Sequence, residues 1–153
     1  MVDKKALFKN AAVIAFLLSK VDSVVKTKLV KLAFLGDVEA RKELGEKITY
    51  FSYSKYLYGP YPHDIETILA YLEAKGYIEY QEGVNREGNV YYLISLRENS
   101  GFTELIDKYL LDEEKEILNR VIEKYGKLPL NDILKHIYNM DNVKHAEFAE
   151  VVL

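Results

Sequence analysis

Three histidines, His63, His136 and His145, and no cysteine in 153 residues restrict the chemistry this chain can carry. The histidines fall into no HExxH or other local ligand spacing, so no metal site is expected. Without thiols there is no zinc–thiolate set, no disulfide framework and no cysteine nucleophile. No GxSxG or comparable nucleophile turn occurs. Gly59-Pro60 is not a phosphate loop, and Gly83 and Gly88 are spaced for the tip of a hairpin rather than for GxGxxG. Carboxylate pairs such as Asp112 and Glu116 read as a solvated helix face. We therefore expect neither an enzyme nor a cofactor.

What stands out instead is Tyr50-Phe51-Ser52-Tyr53-Ser54-Lys55-Tyr56-Leu57-Tyr58-Gly59-Pro60-Tyr61-Pro62, dense in aromatics and almost free of charge. In a strand, alternate side chains share a face, which groups Phe51, Tyr53 and Leu57 against Tyr50, Tyr56 and Tyr58. One face can pack on the core while the other covers a neighbouring helix. The outer tyrosines would also make an interface hot spot, because tyrosine offers large contact area at low entropic cost. A stacking platform for single-stranded nucleic acid is a third use, weakened by having Lys55 as its one cation.

The surrounding elements follow from periodicity. Lys4 to Val21 reads as a helix with an unbroken apolar run, Ala11 to Leu18, that is buried on more than one face. The basic residues before that run mimic a signal peptide. The run ends in Ser19-Lys20-Val21-Asp22 with no small-x-small cleavage site, and its eight residues fall short of the ~20 a membrane span needs. A core helix of a cytoplasmic chain is expected, with no membrane association. A second helix is expected from an N-cap at Thr27 to a stop at Gly45. Ile48 to Tyr58 has strand composition, broken by Gly59-Pro60. Pro62 or His63 then opens a third helix, with Ile65, Ile68, Leu69 and Leu72 on its inner face. Tyr77 to Tyr80 and Val90 to Leu96 alternate as a β-hairpin. Three helices are expected beyond it, around Phe102–Tyr109, Leu118–Tyr125 and Leu130–Ile137. Met140 to Leu153 reads as a weak helix or a tail that docks on a partner. The fold class is thus α+β and mainly α. One domain spans residues 1–153, with a winged-helix-like core over 1–97 (helix, helix, strand, helix, β-hairpin) and a helical extension over 98–153.

A winged helix invites a DNA-binding reading, and the charges oppose it. The formal net charge is -3. The outer positions of the third helix include Asp64, Glu66 and Glu73 against Lys75, whereas a helix in the major groove should present Arg, Lys, Asn or Gln. The wing carries Glu82 and Glu87 against Arg86. Residues 1–31 hold seven lysines and two aspartates. If phosphate is touched at all, Lys20, Lys26, Lys28 and Lys31 around the second helix are the candidates, with a solvated helix end as the plainer explanation.

Lys28-Leu29-Val30-Lys31-Leu32-Ala33-Phe34-Leu35, Tyr56-Leu57-Tyr58-Gly59-Pro60-Tyr61-Pro62, Leu69-x-x-Leu72 and Gly76-Tyr77-Ile78 resemble the Panacea (SocA-like) antitoxin domain and the related YwgA-type proteins. The resemblance covers roughly residues 5–97. It implies a non-catalytic module that binds a protein, neutralising a toxin or presenting it for proteolysis. The leading expectation is therefore a regulatory protein-binding module, antitoxin-like, that contacts its unidentified partner through Tyr56, Tyr58, Tyr61 and His63. Gly59 and Pro60 set the turn. A winged-helix transcriptional regulator is the alternative. The apolar stripes at Leu118–Tyr125 and Leu130–Ile137 either complete the core or pair with a second copy, and a homodimer would be the commonest such assembly.

Overall fold

The structure is a computed structural model that describes residues 3–153. Helix α1 (Lys4–Lys20) starts at Asp3, whose carboxylate accepts the Lys5 backbone N–H at 2.9 Å. Every residue from Asn10 to Leu18 is buried. A helix with no polar stripe must be covered all round, and α1 is the central rod against which the next four helices and the second hairpin pack.

Helix α2 (Lys26–Leu44) ends at Gly45, whose φ of 82° closes the last turn onto the Arg41 carbonyl. Its N-cap is Val25 rather than Thr27, with no side-chain cap. The segment before it is held another way: Val24 exchanges both backbone hydrogen bonds with Ile94, at 3.0 and 2.8 Å. That fixes the entry to α2 against the second hairpin.

The strand expected over Ile48–Tyr58 is instead a loop followed by a hairpin, β1 (Tyr53–Tyr56) and β2 (Gly59–Pro62), in antiparallel register from Tyr53↔Pro62 to Tyr56↔Gly59. Strand composition did not prevail at its start because side chains claim the backbone there. Asp37 accepts the N–H of Ile48 and of Thr49, and Asn10 accepts that of Tyr50, so those amides are withdrawn from any ladder. Gly59-Pro60 does not break the strand but opens its return. Leu57 and Tyr58 make the turn, and Gly59, at φ 89°, takes the left-handed conformation that follows it. Two prolines are tolerated in β2 because its outer side pairs with no other strand.

With Pro62 in the ladder and His63 N–H on the Ser52 carbonyl, helix α3 (Ile65–Ala74) begins later than Pro62 or His63. It buries Ile65, Ile68, Leu69 and Leu72, as its spacing required. The second hairpin, β3 (Ile78–Val84) and β4 (Val90–Leu96), extends further than its alternation suggested. Its loop is tied by the Asn85 carboxamide oxygen, which accepts from the backbone of Glu87 and Asn89.

Helices α4 (Phe102–Tyr109), α5 (Asp112–Tyr125) and α6 (Leu130–Tyr138) stand where their apolar spacing put them, and α7 (Asp141–Lys144) is a single turn. Leu105, Leu118, Val121, Ile133 and Ile137 join the same buried cluster as α1 and α2. The last residues do dock, but on this chain. Val152 donates to the Tyr53 carbonyl, Lys55 to that of Glu150 and Ala149 to that of Lys55, so the tail lies along the open edge of β1. The result is α+β and mainly α, with a hairpin in place of the single strand expected between α2 and α3.

Candidate functional site

The first hairpin is fixed to the body by two helices, α2 and α6. From α2, Asp37 is buried and accepts four hydrogen bonds: Ile48 N–H at 2.8 Å, Thr49 N–H at 2.9 Å, Thr49 Oγ1 at 2.5 Å and Tyr53 Oη at 2.7 Å. Burial pushes its carboxyl above the ordinary carboxylate range, while the Thr49 and Tyr53 donors and the nearby Lys47 pull it back. Also from α2, the Lys31 amine donates to the Pro60 carbonyl at 2.8 Å. From α6, Tyr138 Oη donates to the Leu57 carbonyl at 2.9 Å, and Lys55 Nζ lies 5.9 Å from the Tyr138 ring centre. Tyr53, at the start of β1, is wholly buried edge-on against Phe34 and Phe51.

What this clamp presents is an aromatic cluster. The half-buried Tyr56 ring stands edge-to-face with Tyr61, His63 and Phe148, at centroid distances of 6.3, 6.1 and 5.5 Å. His63 Nε2 is 2.8 Å from Ser54 Oγ. Tyr61 Oη donates to Glu66 at 2.9 Å, and Lys26 Nζ reaches the same carboxylate oxygen at 2.5 Å. At the turn, Leu57 is 78% and Tyr58 67% exposed, both large apolar surfaces facing solvent. Tyr56, Tyr58, Tyr61 and His63 all line one open cavity of about 440 Å³, and Phe148 of the tail supplies another wall.

The four partner-binding candidates are thus brought together, and Gly59 and Pro60 form their turn. Phe51 and Tyr53, expected on one strand face, are both buried although Phe51 precedes β1, and Leu57, expected with them, belongs to the turn and is exposed.

The four lysines that are candidates for phosphate contact differ in exposure and partners. Lys20 is exposed at the end of α1, with its amine 5.4 Å from the Phe16 ring centre. Lys28 is half-buried, and Lys26 is engaged by Glu66. Lys31 is only 1% exposed and lines the cavity, so it offers nothing to a phosphate backbone passing over the surface. Burial lowers its amine from the ordinary lysine value to about 8. Spacing alone did not reveal the role of Asp37, Asn10 or Phe148. Lys31 did carry a signal, since it sits within the apolar run Leu29–Leu35 and shares a helix face with Phe34 and Leu35.

Among the described residues no group of three His, Asp or Glu side chains is placed to hold a metal, and no helix is long and apolar enough to cross a membrane. The family described as antitoxin SocA-like, Panacea domain, matches residues 29–142. The match takes in α4, α5 and α6, beyond the end near residue 97 at which the sequence resemblance was placed, and leaves out α1 and the tail. No curated protein and no solved structure matches the chain.

Proposed function

This chain belongs to the antitoxin SocA-like, Panacea domain family, and from that membership we propose that it is a non-catalytic, antitoxin-like regulatory module that binds a protein partner. Its contact surface is the turn of the first hairpin and the cavity beside it, lined by Tyr56, Tyr58, Tyr61 and His63. The observation that carries the reading is the solvent-facing Leu57-Tyr58 turn beside an aromatic cavity, on a hairpin tied to two helices. Exposed apolar surface held rigidly is what a hot spot requires, since little ordering remains to be done on binding.

The DNA-binding alternative has less in its favour. The exposed positions of α3 include Asp64, Glu66 and Glu73, and Glu66 engages the nearby Lys26. A duplex lying on α3 would meet carboxylates first.

The test is quantitative affinity capture from nuclease-treated native lysate, with the wild-type chain and the Tyr58→Ala and Tyr61→Ala variants compared. A stoichiometric protein retained by the wild type should fall at least about tenfold with Tyr58→Ala, the loss typical of an interface hot spot. Equal recovery by folded variants would refute the surface. Recovery of nucleic acid in place of protein, without nuclease treatment, would refute the function.

A further inference from the structure

Lys31 sits at the floor of the hairpin cavity as a buried cation without an anion. It is 1% exposed, and its one hydrogen bond goes to the neutral Pro60 carbonyl. None of the ion pairs among the described residues includes it. On the adjoining α3, the Glu66 carboxylate is taken up by Lys26 and Tyr61. An ammonium has three donors, and taking it out of water with one neutral acceptor is costly unless a counter-charge arrives. Gly59 keeps the approach open. A Cβ there would lie 3.3 Å from Lys31 Cε and 3.8 Å from its Nζ, and φ 89° already restricts the position to glycine.

The walls above this charge are of the opposite character. Tyr56, Leu57, Tyr58, Tyr61 and Phe148, with Thr27 and His63 as the polar members, line a space of about 440 Å³, which exceeds what an aspartate or glutamate side chain fills. A ligand that satisfies both floor and walls must carry an apolar group and a carboxylate on the same small unit.

Building on the protein-binding reading, we propose that this cavity captures the C-terminal residue of the partner chain, a large apolar residue whose α-carboxylate pairs with Lys31. In a polypeptide only the last residue carries a carboxylate directly on the carbon that bears an apolar side chain. An internal acidic residue would bring its charge and leave the aromatic walls uncovered. The capture of a terminal carboxylate together with its side chain is an established mode of peptide recognition.

The test titrates the full chain with an N-acetylated tripeptide ending in phenylalanine or leucine, as the free acid and as the C-terminal amide, by calorimetry at neutral pH. The acid is expected to bind at least about tenfold more tightly than the amide, the effect of a charge-assisted bond in a partly dry site. Lys31→Met should abolish that preference. Should this variant not fold, Tyr58→Ala is expected to weaken both peptides while keeping the preference. The ε-carbon resonance of Lys31 in the wild type should also shift with the acid and not with the amide. Equal affinities for acid and amide, an unmoved Lys31 resonance, or no binding of either acid at millimolar concentration would overturn the proposal. So would tighter binding of 3-phenylpropionate than of the peptide acid, because the cavity would then be a small-molecule site. Any of these failures leaves the lysate result with Tyr58→Ala standing, so the two readings fail separately.

Discussion

Replacing Asp37 separates two ways in which a buried carboxylate can hold a loop. Its two oxygens accept four hydrogen bonds, and the group is 1% exposed. In Asp37→Ala the N–H groups of Ile48 and Thr49 lose their acceptor in the interior. Each orphaned donor costs about 1–3 kcal/mol, so a loss of at least about 3 kcal/mol is expected with the added cavity. Asp37→Asn should be far milder. Its carbonyl oxygen can keep both backbone donors, and its amide can donate to the hydroxyl oxygens of Thr49 and Tyr53, which turn from donor to acceptor. The lost charge-assisted strength is offset by no longer burying a charge, leaving a cost of about 1 kcal/mol or less. Urea denaturation followed by far-ultraviolet circular dichroism measures both. The raised carboxyl adds a second signature. Over pH values between its ordinary and its folded pKa, the native state holds a proton that the unfolded state has released. Stability contributed by Asp37 therefore declines as pH rises through that window, and the Asn variant should lack the decline. If Asn proved as damaging as Ala, the carboxylate would act by its charge toward Lys47, and the argument from acceptors would be wrong.

The amine of Lys31 titrates near 8 in the folded chain and near 10.5 when unfolded, so between those values the unfolded state binds the extra proton. Stability should rise by about 2–3 kcal/mol from pH 8 to pH 10, and Lys31→Met should show a smaller rise, since Lys47 titrates in the same direction. The window closes near pH 10 because Tyr53, raised well above its ordinary value by burial, begins to contribute with the opposite sign. Gly36→Val on α2 is expected to cost about 1–3 kcal/mol in the same denaturation assay, because a Cβ at that position meets the buried Leu118 Cδ2 at 2.7 Å. Tyr138→Phe removes the hydrogen bond to the Leu57 carbonyl. Stability should change by no more than about 1 kcal/mol, while capture of the partner weakens through a looser turn.

The helical parts were legible because nothing competes with their pattern. Ala11 to Leu18 has no polar residue to turn outward, and the stripes of α5 and α6 each had one face to bury. The aromatic segment was harder, since its backbone groups are partnered by side chains distant in sequence. Asn10 takes the Tyr50 amide and Asp37 those of Ile48 and Thr49, and no local propensity reports such partners. From its charge Lys31 reads as a surface cation, since lysine is seldom buried. The run Leu29–Leu35 around it was the contrary sign. The candidate tyrosines were recoverable from density alone, whereas the Phe148 wall arises only when the tail folds back along β1.

Both buried charges of α2 are directed at the same hairpin, with opposite chemistry. Lys31 supplies a donor to a carbonyl of β2, and Asp37 supplies acceptors to the amides that lead into β1. Burial of Phe51 and Tyr53 already disfavours a slip of one residue, which would turn them toward solvent. Directional bonds to specific backbone atoms add to this, since a shift of one residue would take the Pro60 carbonyl from Lys31 and the Ile48 and Thr49 amides from Asp37. The two ends of the hairpin are therefore set by one rigid helix, and the exposed turn between them inherits a fixed position. That accounts for exposing Leu57 and Tyr58 at the surface despite their apolar character. Their ordering is completed during folding, which leaves the free energy of burying them available to whatever binds.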